Sequence, residues 1–130
     1  MKHLSMAIVR KNGKVLVQER YRATKGMVFE FPGGAVNDNE SGTDAAVREL
    51  YEETQMKSVK HSATFSAIND FGGRIYYAIF NANEQQEPLA LDTERQQKFH
   101  WMSPDEIPLD DFYKADVDFI KHHLLEEQRV

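Results

Sequence analysis

Glu49, Glu52 and Glu53 stand close together in the stretch Arg48-Glu49-Leu50-Tyr51-Glu52-Glu53-Thr54-Gln55-Met56. On a helix of about 100° per residue they fall at i, i+3 and i+4, within about 100° of arc. Each like-charge pair at that spacing costs roughly 0.2–0.5 kcal/mol. A chain that keeps all three calls for a cation to offset them. Carboxylate oxygens with no His or Cys among them suit a hard divalent ion, Mg²⁺ or Mn²⁺. Such an ion keeps positions for water and phosphate oxygens, polarises P–O bonds and helps generate hydroxide from water. The chemistry that follows is phosphoryl transfer to water, with a carboxylate not fully committed to the ion as general base. An isolated Glu-Leu-Tyr-Glu-Glu run is usually a solvated helix face, so the surrounding residues must decide.

They do. Gly34, Glu40, Arg48, Glu49, Glu52 and Glu53 hold set spacings, with apolar Leu50 and Met56 between and after them. Chance agreement of six fixed identities is on the order of one in ten million per start point. The stretch Gly34 to Met56 resembles the Nudix box, the signature of the Nudix hydrolases. Gln55 is the one departure, standing where the family usually has a Gly that closes the helix in the left-handed conformation. Gln there costs roughly 1 kcal/mol if the same backbone is kept; otherwise the helix ends differently. The departure concerns the exit from the helix, not the carboxylates.

The resemblance implies an α/β fold, an α/β/α sandwich with a mixed sheet. It also implies hydrolysis of a nucleoside diphosphate linked to another group, by water attack on one phosphorus. Glu49, Glu52 and Glu53 occupy the family's metal-ligand positions. Either Glu53 or Glu49 is the general base, and the box does not say which. Glu40 and Arg48 take supporting positions, with Arg48 orienting a box carboxylate. The carbonyl of Gly33 is an additional candidate ligand, and Glu94 is either a fourth carboxylate ligand or plain surface. The segments Phe29-Glu30-Phe31-Pro32-Gly33-Gly34, Phe71-Gly72-Gly73-Arg74 and Trp101-Met102-Ser103 resemble the MutT-like branch, which sanitises or degrades nucleoside triphosphates. That likeness implies a substrate site with Phe31 by the base, Asp116 reading the base edge, Arg20 on phosphate, and Gly34, Phe71 and Arg74 nearby. Plainer roles compete for each residue. Phe31, Phe71 and Trp101 fit core positions, Asp116 fits the N-cap of the last helix, and Arg20 and Arg74 fit surface ion pairs.

The expected activity is Mg²⁺-dependent hydrolysis of a nucleoside triphosphate, ordinary or oxidised, to the monophosphate and pyrophosphate. Alternatives are another diphosphate (ADP-ribose, a dinucleoside polyphosphate or a nucleotide sugar) or a non-catalytic nucleotide sensor. No Pro lies between Pro32 and Pro88, which counts against the ADP-ribose enzymes, and the intact box carboxylates count against a sensor.

Elements must deliver these groups. Leu4 to Val9 and Val15 to Glu19 read as strands joined by an Asn12-Gly13 hairpin turn. Arg20 to Met27 reads as a polar loop, and Val28 to Phe31 as a short strand stopped by Pro32-Gly33-Gly34. The box helix starts near Gly42 or Thr43, with Ala46, Val47, Leu50, Tyr51 and Thr54 as its core face. Strands follow at about 58–68, 74–80 and 99–102, with a turn at 69–73 and a long polar loop at 81–97. Ser103-Pro104-Asp105-Glu106 is a capping box. A last helix runs from about Asp116 to Glu127, with Val117, Ile120 and Leu124 on one face.

Composition bounds the rest. At 130 residues the chain is expected to be one domain, residues 1–130. Net charge −5 without a basic run argues against a nucleic-acid polymer as partner, but not against a small nucleotide. There is no Cys, which excludes a thiolate nucleophile and a zinc ribbon. The opening apolar run is too short for a signal peptide or a membrane span, so the expected location is cytoplasmic. Monomer and homodimer both remain open.

Overall fold

Asn12 and Gly13 both adopt positive φ, 53° and 75°. That is the conformation a two-residue hairpin needs to match right-handed strand twist. The turn joins β1 (Leu4–Lys11) to β2 (Lys14–Arg22), with Lys11 opposite Lys14. This computed structural model describes residues 2–90 and 96–126. Beyond the hairpin the two strands take different partners. On β1, β4 (Gly33–Ala35) pairs antiparallel and β6 (Arg74–Asn81) pairs parallel. On β2, β3 (Gly26–Glu30) and β7 (Lys98–Met102) both pair antiparallel. The order β3-β2-β1-β6-β5 ends at β5 (Lys60–Ile68).

Strand alternation divides the core in two. Ala7, Val9, Leu16, Ala78 and Phe80 face α1 (Gly42–Thr54), meeting Ala46, Leu50 and Met56. Ile8, Val15, Val17, Ile75, Tyr77 and Ile79 face the C-terminal helix and meet Phe119, Ile120 and Leu124. That helix is α2 (Lys114–Phe119), continued by a wider π-helical stretch, Ile120–Leu125. The result is an α/β/α sandwich on a mixed sheet, as expected. Among the described residues, no helix is long and apolar enough to cross a membrane.

Several elements differ from the sequence reading. Residues 20–27 are not a loop: β2 runs to Arg22 and β3 starts at Gly26, so they form most of a second hairpin. The alternating polar face Gln18-Arg20-Arg22 hides the strand because its partners are charged rather than apolar. The last helix begins at Lys114 with Tyr113 in the cap position, so Asp116 is not its N-cap. The first half of the expected 81–97 loop is fastened down. Lys11 Nζ donates to the Gln86 carbonyl at 2.8 Å and to Glu87, Trp101 Nε1 donates to Glu87 at 2.9 Å, and Leu89 N–H donates to the Thr54 carbonyl at 2.9 Å. Trp101 thus belongs to the α1 side of the sheet.

The box helix is turned from its expected orientation. Its buried face is Gly42, Ala45, Ala46, Leu50, Glu53 and Thr54. Val47 and Tyr51, expected in the core, are 46% and 43% exposed. Ser41 Oγ caps the start, accepting from Asp44 N–H at 3.0 Å. At the other end Gln55 keeps the left-handed conformation, φ 63°, and its N–H donates to the Tyr51 carbonyl at 2.8 Å. The helix therefore ends as a glycine would end it, with a side chain that the conformation disfavours. Replacing Gln55 by Gly should raise stability by roughly 1 kcal/mol, or about 4 °C in Tm. Thermal unfolding of Gln55→Gly checks this, and an unchanged or lower Tm means the Gln55 Nε2 bond to the Tyr51 carbonyl offsets the backbone cost.

Candidate active site

A guanidinium sits among the box carboxylates. Arg48 Nε and Nη2 donate to the two oxygens of Glu40 at 2.8 and 3.0 Å. Nη1 donates to Glu49 at 2.9 Å and Glu52 at 3.1 Å, and Nη2 also reaches the Ala35 carbonyl at 2.9 Å. These contacts use every N–H of the group. The Glu40 bond, first among the causes, raises the Arg48 pKa further above its ordinary value; Glu40 is lowered in turn, chiefly by Arg48. Asn37 N–H also donates to Glu40 at 3.0 Å, so the loop carrying Glu40 fixes its carboxylate from behind.

Glu53 is treated differently. It is 8% exposed, on the sheet side of α1. Its Oε2 accepts from Gly33 N–H at 2.8 Å, and its Oε1 from Gln18 Nε2 at 3.0 Å. Burial of a carboxylate requires such donors. Sequence reasoning missed Gln18. The available signal was a Gln directly after the apolar run Val15-Leu16-Val17, where a strand covered on both faces should stay apolar.

The donor set suits a hard divalent cation: Glu49, Glu52 and Glu53 offer oxygens from one helix, and two of them already share a cationic partner. As they stand, however, no three His, Asp or Glu side chains among the described residues converge closely enough to enclose an ion. The mutually repelling patch expected from the sequence is instead divided, with Glu49 and Glu52 on Arg48 and Glu53 on the sheet. Glu94 lies outside the described residues.

On the other side of the Gly33-Gly34 backbone lies a cavity of about 270 Å³. Phe31, Phe71, Phe112 and Tyr113 supply its aromatic surfaces, and Asp116 lines it. Phe31 is buried against Phe112, with ring centroids 5.1 Å apart. Phe71 is 69% exposed at the rim. It rides on a turn organised by Asn69, whose Oδ1 accepts from Phe71 and Gly73 N–H at 2.8 and 3.1 Å. The two glycines form the wall between cavity and carboxylates. A Cβ on Gly34 would lie 2.6 Å from the Glu49 carboxylate, and one on Gly33 would lie 2.3 Å from the Ser5 carbonyl oxygen. Arg20 is on the Gln18 face of β2, 3.6 Å from Glu30, whose other oxygen takes Arg22 at 2.9 Å. Arg74 is exposed; its backbone N–H donates to His3 Nδ1 at 3.0 Å and its carbonyl accepts from Asn69 Nδ2 at 3.3 Å.

Asp116 is buried and accepts from Tyr77 O–H at 2.6 Å. Desolvation dominates and pushes its pKa up to about 6, although the Tyr77 bond acts the other way. Tyr77 is raised above the ordinary phenol range, first by burial and then by Asp116.

The family model described as NUDIX domain matches residues 1–123. A CTP pyrophosphohydrolase of Escherichia coli (strain K12) is 28% identical over 120 residues, 84% of this chain and 88% of that protein. An 8-oxo-dGTP diphosphatase of Proteus vulgaris is 28% identical over 90 residues, 67% of this chain and 80% of that protein. A solved chain from work on MutT of Aliivibrio salmonicida and Vibrio cholerae overlays with a TM-score of 0.72 at 24% identity, covering 96% of this chain and 98% of that one.

Because burial raises the Asp116 pKa, its contribution to stability is present below about pH 4 and lost as pH rises through about 6. The loss should amount to about 3 kcal/mol by pH 7.5. Asp116→Asn keeps an acceptor for Tyr77 and removes the titration. Denaturant unfolding should find the variant more stable than wild type at pH 7.5 and the difference gone near pH 4; parallel pH profiles would show that Asp116 is not penalised by burial.

Proposed function

The chain belongs to the NUDIX domain family, and on that premise we propose that it is a divalent-cation-dependent nucleoside triphosphate pyrophosphohydrolase, releasing the monophosphate and pyrophosphate. The observation that carries this reading is the Gly33-Gly34 wall. One backbone segment touches both carboxylates that matter, Glu53 by an N–H bond and Glu49 by close packing, and lines the aromatic cavity on its other side. A nucleotide with its base in the cavity then has its phosphate chain beside the box helix. The two named relatives support a triphosphate substrate, since each acts on one by name.

Mg²⁺ or Mn²⁺, held by Glu49, Glu52 and Glu53 and with the Gly33 carbonyl as a further donor, would neutralise phosphate charge and activate water. The protein residues divide the remaining work. Glu53, with both oxygens fixed by N–H donors, is built as a ligand whose position is set before an ion arrives. Glu49 is held by Arg48 through Oε1 alone, which leaves Oε2 to take the proton from water, and it is the general base in this reading. Arg48 and Glu40 keep Glu49 and Glu52 in place. Arg20 and Arg22, both on the Glu30 carboxylate at 3.6 and 2.9 Å, are the cations assigned to substrate phosphate, which takes the place of that carboxylate.

Asp116 sets the base preference. In its ionised form it accepts only, and it favours a base edge bearing an amino group, as cytosine, adenine and guanine do; the named relatives favour the first and the last. The kcat/KM for such a nucleotide should rise with pH through about 6 and flatten in Asp116→Asn. A pH–rate profile checks both parts.

The deciding experiment is hydrolysis of a nucleotide panel in millimolar Mg²⁺, with pyrophosphate resolved from phosphate. Pyrophosphate from cytosine or guanine triphosphates, including the oxidised guanine form, is the expected result. Turnover confined to ADP-ribose or a dinucleoside polyphosphate would replace the triphosphate reading. Glu49→Gln should lose at least a hundredfold in kcat while keeping Mn²⁺ affinity; Glu53→Gln should lose both. Reversed phenotypes, read by kinetics and Mn²⁺ titration, would exchange the two roles.

A further inference from the structure

Glu53 is positioned by a chain of buried amides. Gln18 is 1% exposed and Gln97 7% exposed. The Gln97 Nε2 donates to Gln18 Oε1 at 2.8 Å. That bond decides which end of the Gln18 amide faces which way. With its oxygen occupied by Gln97, its NH₂ group points toward two carboxylates, donating to Glu53 Oε1 at 3.0 Å and, more weakly, to Glu30 Oε1 at 3.3 Å. Were the amide reversed, its oxygen would face both carboxylates, acceptor against acceptor, and each would lose the amide N–H it now accepts from.

We propose that Gln18, oriented by Gln97, is a positioning residue that holds Glu53 ready for a divalent cation. The inference rests on Glu53 being a metal ligand. A neutral donor suits the task. It fixes an oxygen's position without adding a positive charge that would compete with the ion. Gly33 N–H fixes the other oxygen, so the carboxylate plane is set by two points on different strands, β2 and β4. Ordering Glu53 in advance removes side-chain entropy that ion binding would otherwise have to overcome. Residues that hold ligands in this way commonly change metal affinity or activity ten- to a hundredfold when replaced. Gln97 immediately precedes β7, so the pairing of β7 with β2 brings the two glutamines together.

The test is Mn²⁺ titration of ion-free protein, followed by electron paramagnetic resonance, on wild type, Gln18→Leu and Gln97→Met. Gln18→Leu removes the donors to Glu53. Gln97→Met removes only the group that orients the amide, at nearly the same volume. Mn²⁺ affinity should fall about tenfold in Gln18→Leu and about threefold in Gln97→Met. In both, kcat should fall at low Mg²⁺ and recover as Mg²⁺ is raised, with KM for nucleotide little changed. A purely structural role would lower the ion-free Tm and leave the affinity of the folded protein at the wild-type value, which overturns the proposal. If Gln18→Leu does not fold, Gln97→Met decides alone, and wild-type Mn²⁺ affinity there overturns it. Absence of Mn²⁺ binding in wild type would instead remove Glu53 as a ligand, and the proposal with it.

Discussion

The arrangement depends on one guanidinium. Arg48 ties together three segments that the sheet does not connect: the loop that carries Glu40, the box helix itself, and β4 through the Ala35 carbonyl. Like-charge repulsion along the helix is a matter of a few tenths of a kcal/mol per pair, whereas a bidentate, charge-assisted grip with several further bonds from the same guanidinium is stronger than any one such pair. The attractive terms therefore win, and the carboxylates are held together rather than driven apart. Screening reduces the balance, because Glu52 is largely exposed, but Glu40 and Glu49 lie on the sheltered side. A lysine would not serve, since a point charge cannot grip Glu40 with two parallel bonds while also reaching Glu49, Glu52 and a carbonyl.

The second constraint is the parting of β1 from β2. Past the Asn12-Gly13 hairpin each takes other partners, and the chain after Phe31 fills the space between them. Pro32 contributes a carbonyl to Ala7 N–H at 2.8 Å, and β4 pairs with β1 from there. A sheet with this opening lets a loop backbone pass between its two faces. The carboxylates stand on the α1 side and the aromatic cavity on the side of the C-terminal helix. Only residues without side chains fit at the crossing, because any Cβ there would strike Glu49, Met6 or the Ser5 carbonyl.

Much of this was legible in the residues. The box spacing announced a carboxylate helix with Arg48 as its partner, the Asn12-Gly13 pair announced the hairpin, and the order of strands and helices with the box resemblance announced the mixed-sheet sandwich. The rotation of the box helix was not legible. A wheel drawn on hydrophobicity centres its buried arc near Thr54 and Leu50, but the observed arc is turned by roughly 80° toward Ala45 and Glu53. Hydrophobicity alone misses this because the sheet offers Glu53 two N–H donors. Ala45 and Ala46 then let the helix approach closely enough to use them. Val47 and Tyr51 are left outside as a consequence. Gln18 and Gln97 lie 79 residues apart, and nothing local marks either as the other's partner. Pairings of that kind are set by sheet topology, which the strand pattern of a single sequence does not fix. Gln55 misled in the opposite direction: an unfavourable residue suggested a changed helix end, yet the backbone was kept, since the Tyr51 carbonyl accepts from both its main-chain and side-chain N–H groups.

The two ends of the proposed substrate make opposite demands, and the fold separates them. A triphosphate carries several negative charges, so its binding beside Glu49, Glu52 and Glu53 is favourable only when cations intervene, from Arg48, Arg20, Arg22 and a divalent ion. The base carries none, and its end of the site is lined by carboxyl groups: Asp116, Asp70, Asp111 and Glu30 all border the cavity. On the proposed reading those acids favour bases that offer amino donors, and they repel a phosphate chain that enters the wrong way round. Burial of Asp116 strengthens this selection at physiological pH, because an ionised carboxylate in a desolvated pocket gains more from a donor on the ligand than one in water would. The cost of holding that charge is met in part by Tyr77, whose hydroxyl donates from the strand beneath. Tyr77 in turn stacks on Phe119 at 4.3 Å, so the C-terminal helix and the Asp116 carboxylate are positioned by the same ring. The carboxylate lining the cavity and the packing of the second core are thus a single arrangement, and a change to either is felt by both.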